Sequence, residues 1–291
     1  MTGEYFAPTR LDEALDVLAT RDAVVVAGGT DYYPALGTRA ERRDLVDLSR
    51  IAGLRGIERL ADGSLRIGAA TTWSDVARAA LPPACAGLQA AARGVGSVQI
   101  QNSATLAGNL CNASPAADGV PPLLTLDAAV EIAGRSGRRH LALQDFILGP
   151  RRTALRPGEV VVAIRLPAPP AGAVSAFHKL GARRYLVISI AMTAVVLSLG
   201  PDGRIAALRV AVGACSPVAR RLGALEAEAV GRYADTLAVT PAHLAPLSPI
   251  DDVRADAAYR HEAVAEQVQR AVRAAAAVAA AAGAGAGAGD G

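Results

Sequence analysis

The chain has 291 residues, 52% hydrophobic and 20% charged, which is enough for two or three compact units and too apolar for disorder over most of its length. Its net charge of +3 comes from basic residues in scattered pairs (Arg42–Arg43, Arg138–Arg139, Arg151–Arg152, Arg183–Arg184, Arg220–Arg221), not from a run interleaved with aromatics, so nucleic-acid binding has little support. Cys85, Cys111 and Cys215 are far apart, which argues against a zinc or iron–sulfur site built by this chain; with no apolar signal core at the N-terminus, they predict reduced thiols in the cytoplasm.

In chain order, TRLDEALDVLA predicts a helix with Thr9 as N-cap and Leu11, Leu15 and Leu18 on one face. AVVVAGG and RDLVDLSRI predict short buried strands, and together these elements suggest a small α/β unit over residues 1–55. From Gly56 the pattern alternates around Asp62–Gly63, a hairpin signal. A helix follows with Ser74 as its N-cap, then another closed by Gly94 or Gly96. A second hairpin turns at Gly134–Gly137, and EVVVAIRLP is a strand stopped by Pro167. PAPPAG, residues 167–172, marks the clearest internal boundary, closing a second subdomain over residues 56–170. A C-terminal unit over residues 174–278 then combines strands with two helical stretches, and the Ala/Gly-rich residues 279–291 predict a disordered tail. YLVISIAMTAVVLSLG is too short for a membrane span and reads as a buried strand.

Two stretches stand out as candidate sites. VVVAGGTDYYP puts two glycines directly after a buried strand, where successive N–H groups can cradle anionic oxygens and Thr30 and Asp31 add polar side chains. Taken alone it is more simply an ordinary turn, and it lacks the GxGxxG spacing of a dinucleotide turn. TLAGNLCNASPAAD supplies Thr105, Gly108, Asn109, Asn112 and Ser114 as hydroxyls, amides and accessible backbone, with Asp118 as an acceptor. It is equally at home as a polar loop that satisfies its own backbone. His140 and His178 read as ordinary polar residues, Trp73 as a packing residue and Cys111 as a small buried residue without redox role.

AGGTD, TLAGNLCNASPAAD and PIDDVRADAAYR occur in that order, and with them the chain resembles the medium, FAD-binding subunits of molybdenum hydroxylases, the family of bacterial xanthine dehydrogenase FAD subunits and carbon monoxide dehydrogenase medium subunits. The similarity runs from EYFAPTRLDEAL to about Arg273. It implies an α+β fold: a two-subdomain flavin-binding domain of the vanillyl-alcohol-oxidase (PCMH) type, then an α+β C-terminal domain of the carbon monoxide dehydrogenase flavoprotein type.

By the same resemblance, FAD is the cofactor. The loop Val25, Val26, Ala27, Gly28, Gly29, Thr30, Asp31 and Tyr32, and the loop Thr105, Leu106, Ala107, Gly108 and Asn109, hold its diphosphate. Ser114, Asp118 and Val162 are further cofactor contacts, Thr71, Thr72 and Val95 line the cleft, and Lys179 stands near the flavin ring, with Tyr185 packing near it or at the surface. No side chain of this chain is assigned a catalytic or metal-binding role. The implied partners are a large molybdopterin subunit and a small [2Fe–2S] subunit, in a heterotrimer or its dimer, with NAD, a quinone or oxygen as acceptor.

The second loop departs from the family's QIRNxGTxGGN: Gln101 replaces an Arg, and Ala104 and Ala107 replace glycines. Each alanine adds a Cβ where the backbone can require a positive φ or close contact with phosphate. These departures motivate an alternative, an assembly subunit that keeps the flavin fold and binds FAD weakly or not at all. An autonomous flavin oxidase fits less well, because no substrate-site cluster of His, Tyr and Arg is evident.

Overall fold

The computed structural model describes residues 3–287. In chain order the elements are β1 (Tyr5–Phe6), α1 (Leu11–Thr20), β2 (Ala23–Val26), α2 (Tyr32–Leu36), β3 (Asp44–Asp47), β4 (Ile57–Arg59), β5 (Leu65–Gly68), α3 (Trp73–Arg78), α4 (Ala86–Gly94), α5 (Val98–Ser103), α6 (Leu106–Asn112), α7 (Val120–Thr125), β6 (Ala129–Gly134), β7 (Gly137–Ala142), α8 (Leu143–Phe146), β8 (Ile147–Gly149), β9 (Arg152–Thr153), β10 (Val160–Leu166), β11 (Val174–Leu180), β12 (Ala191–Leu199), β13 (Ile205–Gly213), β14 (Arg220–Arg221), α9 (Gly223–Ala229) and α10 (Ala257–Gly287). They form two compact units. The first comprises residues up to 79 with 95–114 and 128–167; the second comprises 80–94, 115–127 and 168 onwards.

The first unit holds a parallel sheet in the order β1-β3-β2 and an antiparallel one in the order β4-β5-β10-β6-β7. Ala14 and Leu15 of α1 pack with Val46, Leu48, Ala133, Val160 and Val162, so strands of both sheets share one apolar core. The start of α1 differs from the expectation for Thr9. Arg10 occupies the cap position, and the Glu13 carboxylate reaches back to accept the N–H groups of Thr9 and Arg10 (3.1 and 3.3 Å). α3 is likewise capped two residues earlier than predicted. Thr72 Oγ1 accepts the Asp75 N–H (3.2 Å) while Ser74 donates its hydroxyl to Asn102 (2.5 Å). Both hairpins fall where the turn residues put them, with Gly63 left-handed at φ +80° and Asp62 accepting the N–H of Ser64 (3.0 Å).

The second unit is an antiparallel sheet in the order β11-β12-β13-β14. β12 is buried along both faces, which is why its sequence reads as a continuous apolar run. On one face Thr193 bonds to Gln267 of α10 (3.0 Å), and Val264, Val268 and Ala271 of that helix join the core; on the other, Met192 and Pro121 of α7 close over Gly213. The strand begins at Ala191, so Tyr185–Ile190 lie outside it; Tyr185, Leu186 and Ile188 are exposed, and Leu186 is left-handed. α10 continues to Gly287, so the tail expected to be disordered is helical over residues 279–287. Alanine loses the least on entering a helix, and a run attached to a packed helix needs no new nucleus. Residues 288–291 of that expected tail lie outside the described residues. Among the described residues, no helix is long and apolar enough to cross a membrane.

Candidate functional site

The first glycine loop leaves the C-terminal end of β2 in the parallel sheet, where Val26 is buried and Val25 exposed. From Ala27 to Tyr32, none of the backbone N–H groups has an acceptor among the described residues, although the Gly29 and Asp31 carbonyls accept from Tyr33 and Ala35 (3.1 and 3.2 Å). The two glycines are needed for different reasons. Gly28 lies so close to the second loop that a Cβ would stand 2.0 Å from the Ser103 carbonyl oxygen. Gly29 has φ +65°, a left-handed conformation costly for residues with a Cβ. Gly28 therefore brings the two candidate loops into backbone contact.

The polar residues of this loop divide. Thr30 is half-buried, while Asp31 is exposed and makes no capping bond to α2. Tyr32 turns its ring away: its hydroxyl donates to Glu41 and accepts from Arg43 Nη2 (3.2 Å). The bond from Tyr32, aided by the Arg43 N–H, holds the Glu41 carboxyl down at about 2. Tyr32 thus offers its backbone to the loop and its side chain to the following turn.

In the second loop Thr105 caps α6. Its Oγ1 accepts the Gly108 N–H (2.9 Å) and its carbonyl accepts the Asn109 N–H (3.1 Å). The Leu106 N–H donates to the Thr71 carbonyl (3.1 Å), leaving the Ala107 N–H as the one amide in this first turn without an acceptor among the described residues. Thr71 and Thr72 sit against this loop: Thr72 forms a bridge with Thr105, and the Trp73 N–H donates to the Ala104 carbonyl (3.1 Å). Trp73 is fully buried, as its packing role requires. Asn109 and Ser114 are half-buried and Gly108 is open.

The three departures take on a definite geometry here. Ala104 has φ −65°, and Ala107 lies in the first turn of α6 with its methyl buried, so neither occupies the left-handed region. Gln101 donates Nε2 to the Val95 carbonyl (3.0 Å), fixing the turn that carries Val95. Leu106 and Val162 are fully buried, and the Val162 carbonyl accepts the Ala69 N–H (3.0 Å), so any contact either makes with the cofactor would be through the backbone. Cys111, expected to be buried, is exposed on α6.

Asp118 and Lys179 belong to the second unit and pair directly, Nζ to Oδ2 at 2.6 Å, with Nζ also donating to the Gly94 carbonyl (3.1 Å). Ser189 donates to the other carboxylate oxygen (2.6 Å). Burial pushes the Asp118 carboxyl above its usual range against the pull of Lys179 and Ser189. Lys179 is also the only lysine of the chain: twenty-nine of its thirty basic residues are arginine. That compositional signal was legible in the sequence and singles out this position. Tyr185 is exposed with the Arg184 guanidinium over its ring (5.2 Å), and burial lowers the pKa of His178, with Arg270 adding to it.

Residues 1–169 match the family described as FAD binding domain in molybdopterin dehydrogenase, and residues 175–282 match the CO dehydrogenase flavoprotein C-terminal domain. The xanthine dehydrogenase FAD-binding subunit of Escherichia coli O157:H7 is 36% identical over 221 residues, covering 73% of this chain and 74% of that one. The carbon monoxide dehydrogenase medium chain of Hydrogenophaga pseudoflava is 31% identical over 279 residues, covering 94% and 96%. A chain of the carbon monoxide dehydrogenase structure from that organism, lacking the Mo-pyranopterin moiety, superposes with a TM-score of 0.87 at 31% identity, covering 95% of this chain and 98% of that one. One of quinoline 2-oxidoreductase from Pseudomonas putida 86 gives 0.86 at 29%, covering 96% and 98%. With the matches spanning both halves of its length, this chain belongs to the FAD-binding medium subunits of the molybdenum hydroxylases, and it is a flavoprotein oxidoreductase subunit.

Proposed function

We propose that this chain is the electron-transfer subunit of a cytoplasmic molybdenum hydroxylase, a heterotrimer or its dimer. It takes electrons from the [2Fe–2S] centres of a small subunit and passes them to NAD, a quinone or oxygen, while a large molybdopterin subunit hydroxylates the organic substrate. Several relatives are named as medium chains or subunits, which supports an assembly of this kind. Residues 1–55 and 56–170 act as the two halves of the flavin domain, with 174–278 as the C-terminal domain. Bound FAD supplies the redox chemistry that the side chains of this chain lack.

One observation carries the reading: six successive amides, Ala27 to Tyr32, have no acceptor among the described residues, and Gly28 packs them against the backbone just before the second loop. Those amides and that of Ala107 would hold the diphosphate, as backbone donors hold anions elsewhere. Thr30, Thr72, Thr105, Gly108, Asn109 and Ser114 would line its path and Val95 would border it; Asp118 and Lys179 are assigned to the cofactor by the resemblance. The assembly-subunit alternative loses part of its motive, because Ala104 and Ala107 carry no left-handed strain. Titrating FAD into the purified full chain tests the reading, with stoichiometric binding expected. A folded chain that takes up no FAD overturns it. Rapid mixing of the reduced complex with NAD, a quinone and oxygen then identifies the acceptor.

A further inference from the structure

Residues 249–260 carry part of the family resemblance, yet they belong to neither glycine loop. Asp251 accepts the Ala257 N–H (2.6 Å) and Asp256 accepts the Tyr259 N–H (2.7 Å), so the two carboxylates start α10. One turn further in, Arg260 is only 2% exposed. Its Nη2 donates to Asp252 (2.6 Å), and its Nη1 donates to the carbonyls of Ile190 and Ala214, the latter at 3.0 Å. Nε is buried with no acceptor among the described residues. Asp252 is itself fixed by the Arg254 and Ala255 N–H groups (2.8 and 3.3 Å). Burial pushes its carboxyl up, but these bonds and the guanidinium prevail and hold it at about 2.

The two carbonyls bound by Arg260 lead to the same place. Ile190 follows Ser189, whose hydroxyl donates to Asp118. Ala214, left-handed at φ +62°, donates its N–H to the Pro115 carbonyl (3.0 Å), three residues before Asp118. One guanidinium thus ties down both backbone segments that flank the Asp118 carboxylate, and Asp118 in turn holds Lys179. The planar fork suits this task, because its donors point in fixed directions that a neutral amide cannot reproduce with charge.

We propose that Asp252 and Arg260 form a clamp that positions Asp118, and through it the ammonium of Lys179, making Arg260 a positioning residue of the flavin site. The step to the flavin rests on the reading of Asp118 and Lys179 as cofactor contacts; the clamp itself does not. Because Lys179 is the only lysine, reductive methylation of the full chain without FAD reports on its enclosure, with peptide mass mapping separating it from the terminal amine. R260Q and D252N are expected to methylate Lys179 at least about fivefold faster than the unsubstituted chain. D252N keeps Arg260 in place and serves if R260Q does not fold. L225A removes a buried side chain from the same core and controls for general loosening; it should leave the rate unchanged at a matched loss of Tm. Unchanged rates in both clamp variants, or an equal acceleration in L225A, overturn the clamp. FAD affinity of D118N and K179Q is the separate arm. If neither variant weakens FAD, the assignment of these two residues to the cofactor fails, whatever the methylation rates show.

Discussion

Lys179 stands out in a chain that otherwise uses arginine for every fixed cation, and its partner explains what an ammonium does there. A buried carboxylate with one ammonium on Oδ2 and one hydroxyl on Oδ1 has its charge compensated by a single compact group. Replacing that group in K179Q leaves the charge buried, and the expected cost is about 3 kcal/mol near neutral pH. The sign of its pH dependence follows from Asp118. Its folded pKa lies above the ordinary aspartate value, so the native state binds more protons than the unfolded chain there, and stability falls as pH rises from the unfolded toward the folded value. Without Lys179 that folded value rises further. The penalty of K179Q should therefore be small near pH 4 and grow toward pH 8, as urea denaturation across that range will show; a penalty independent of pH contradicts the ion pair.

At the scale of elements, the contact between the glycine loop and the turn before α6 fixes the two loops proposed to hold the flavin. Gly28→Ala forces a methyl into the Ser103 carbonyl, so the loops must part. We expect a loss of about 2 kcal/mol or more in stability and weaker FAD binding, measured by urea unfolding and by flavin fluorescence titration. Ala107→Gly tests the opposite idea. Restoring the family's glycine relieves no strain, since Ala107 is already helical. The variant should lose about 1 kcal/mol of stability and gain no FAD affinity. A clear gain would show that the alanine methyl obstructs the ligand. The hairpins and the strand β12 were legible in the sequence because turn chemistry and apolar runs act over a few residues. The caps were displaced because cap position is set by where the backbone turns into the helix: Arg10 stands at the start of α1 with Glu13 accepting the Thr9 and Arg10 N–H groups, and α3 starts early enough for Thr72 to accept the Asp75 N–H. Gly28 was recognised as a glycine that the loop needs, but its reason, the backbone of residue 103, was invisible to local pattern.

Over the whole molecule, periodicity does not report which distant segments pack together. The sequence reading places residues 80–94 and 115–127 in the second flavin subdomain, 56–170; in the fold they group with the C-terminal strands, as the bond from the Gly87 N–H to Ser175 (2.7 Å) illustrates. The same blindness hides the Asp118–Lys179 pair and the Arg260 network, whose members lie far apart in sequence. Family resemblance supplied the cofactor and the order of the loops; the hydrogen bonds supplied the roles of Gln101 and Arg260. The meeting of Gly28 with Ser103 also sets a timetable for biogenesis. A nascent polypeptide has no finished cradle until residue 103 and the turn behind it have left the ribosome, because the glycine loop alone lacks its opposing wall. On the proposed reading, dinucleotide capture must wait until well over the first third of the chain has been made, and a released peptide ending before Ser103 should emerge from synthesis without flavin.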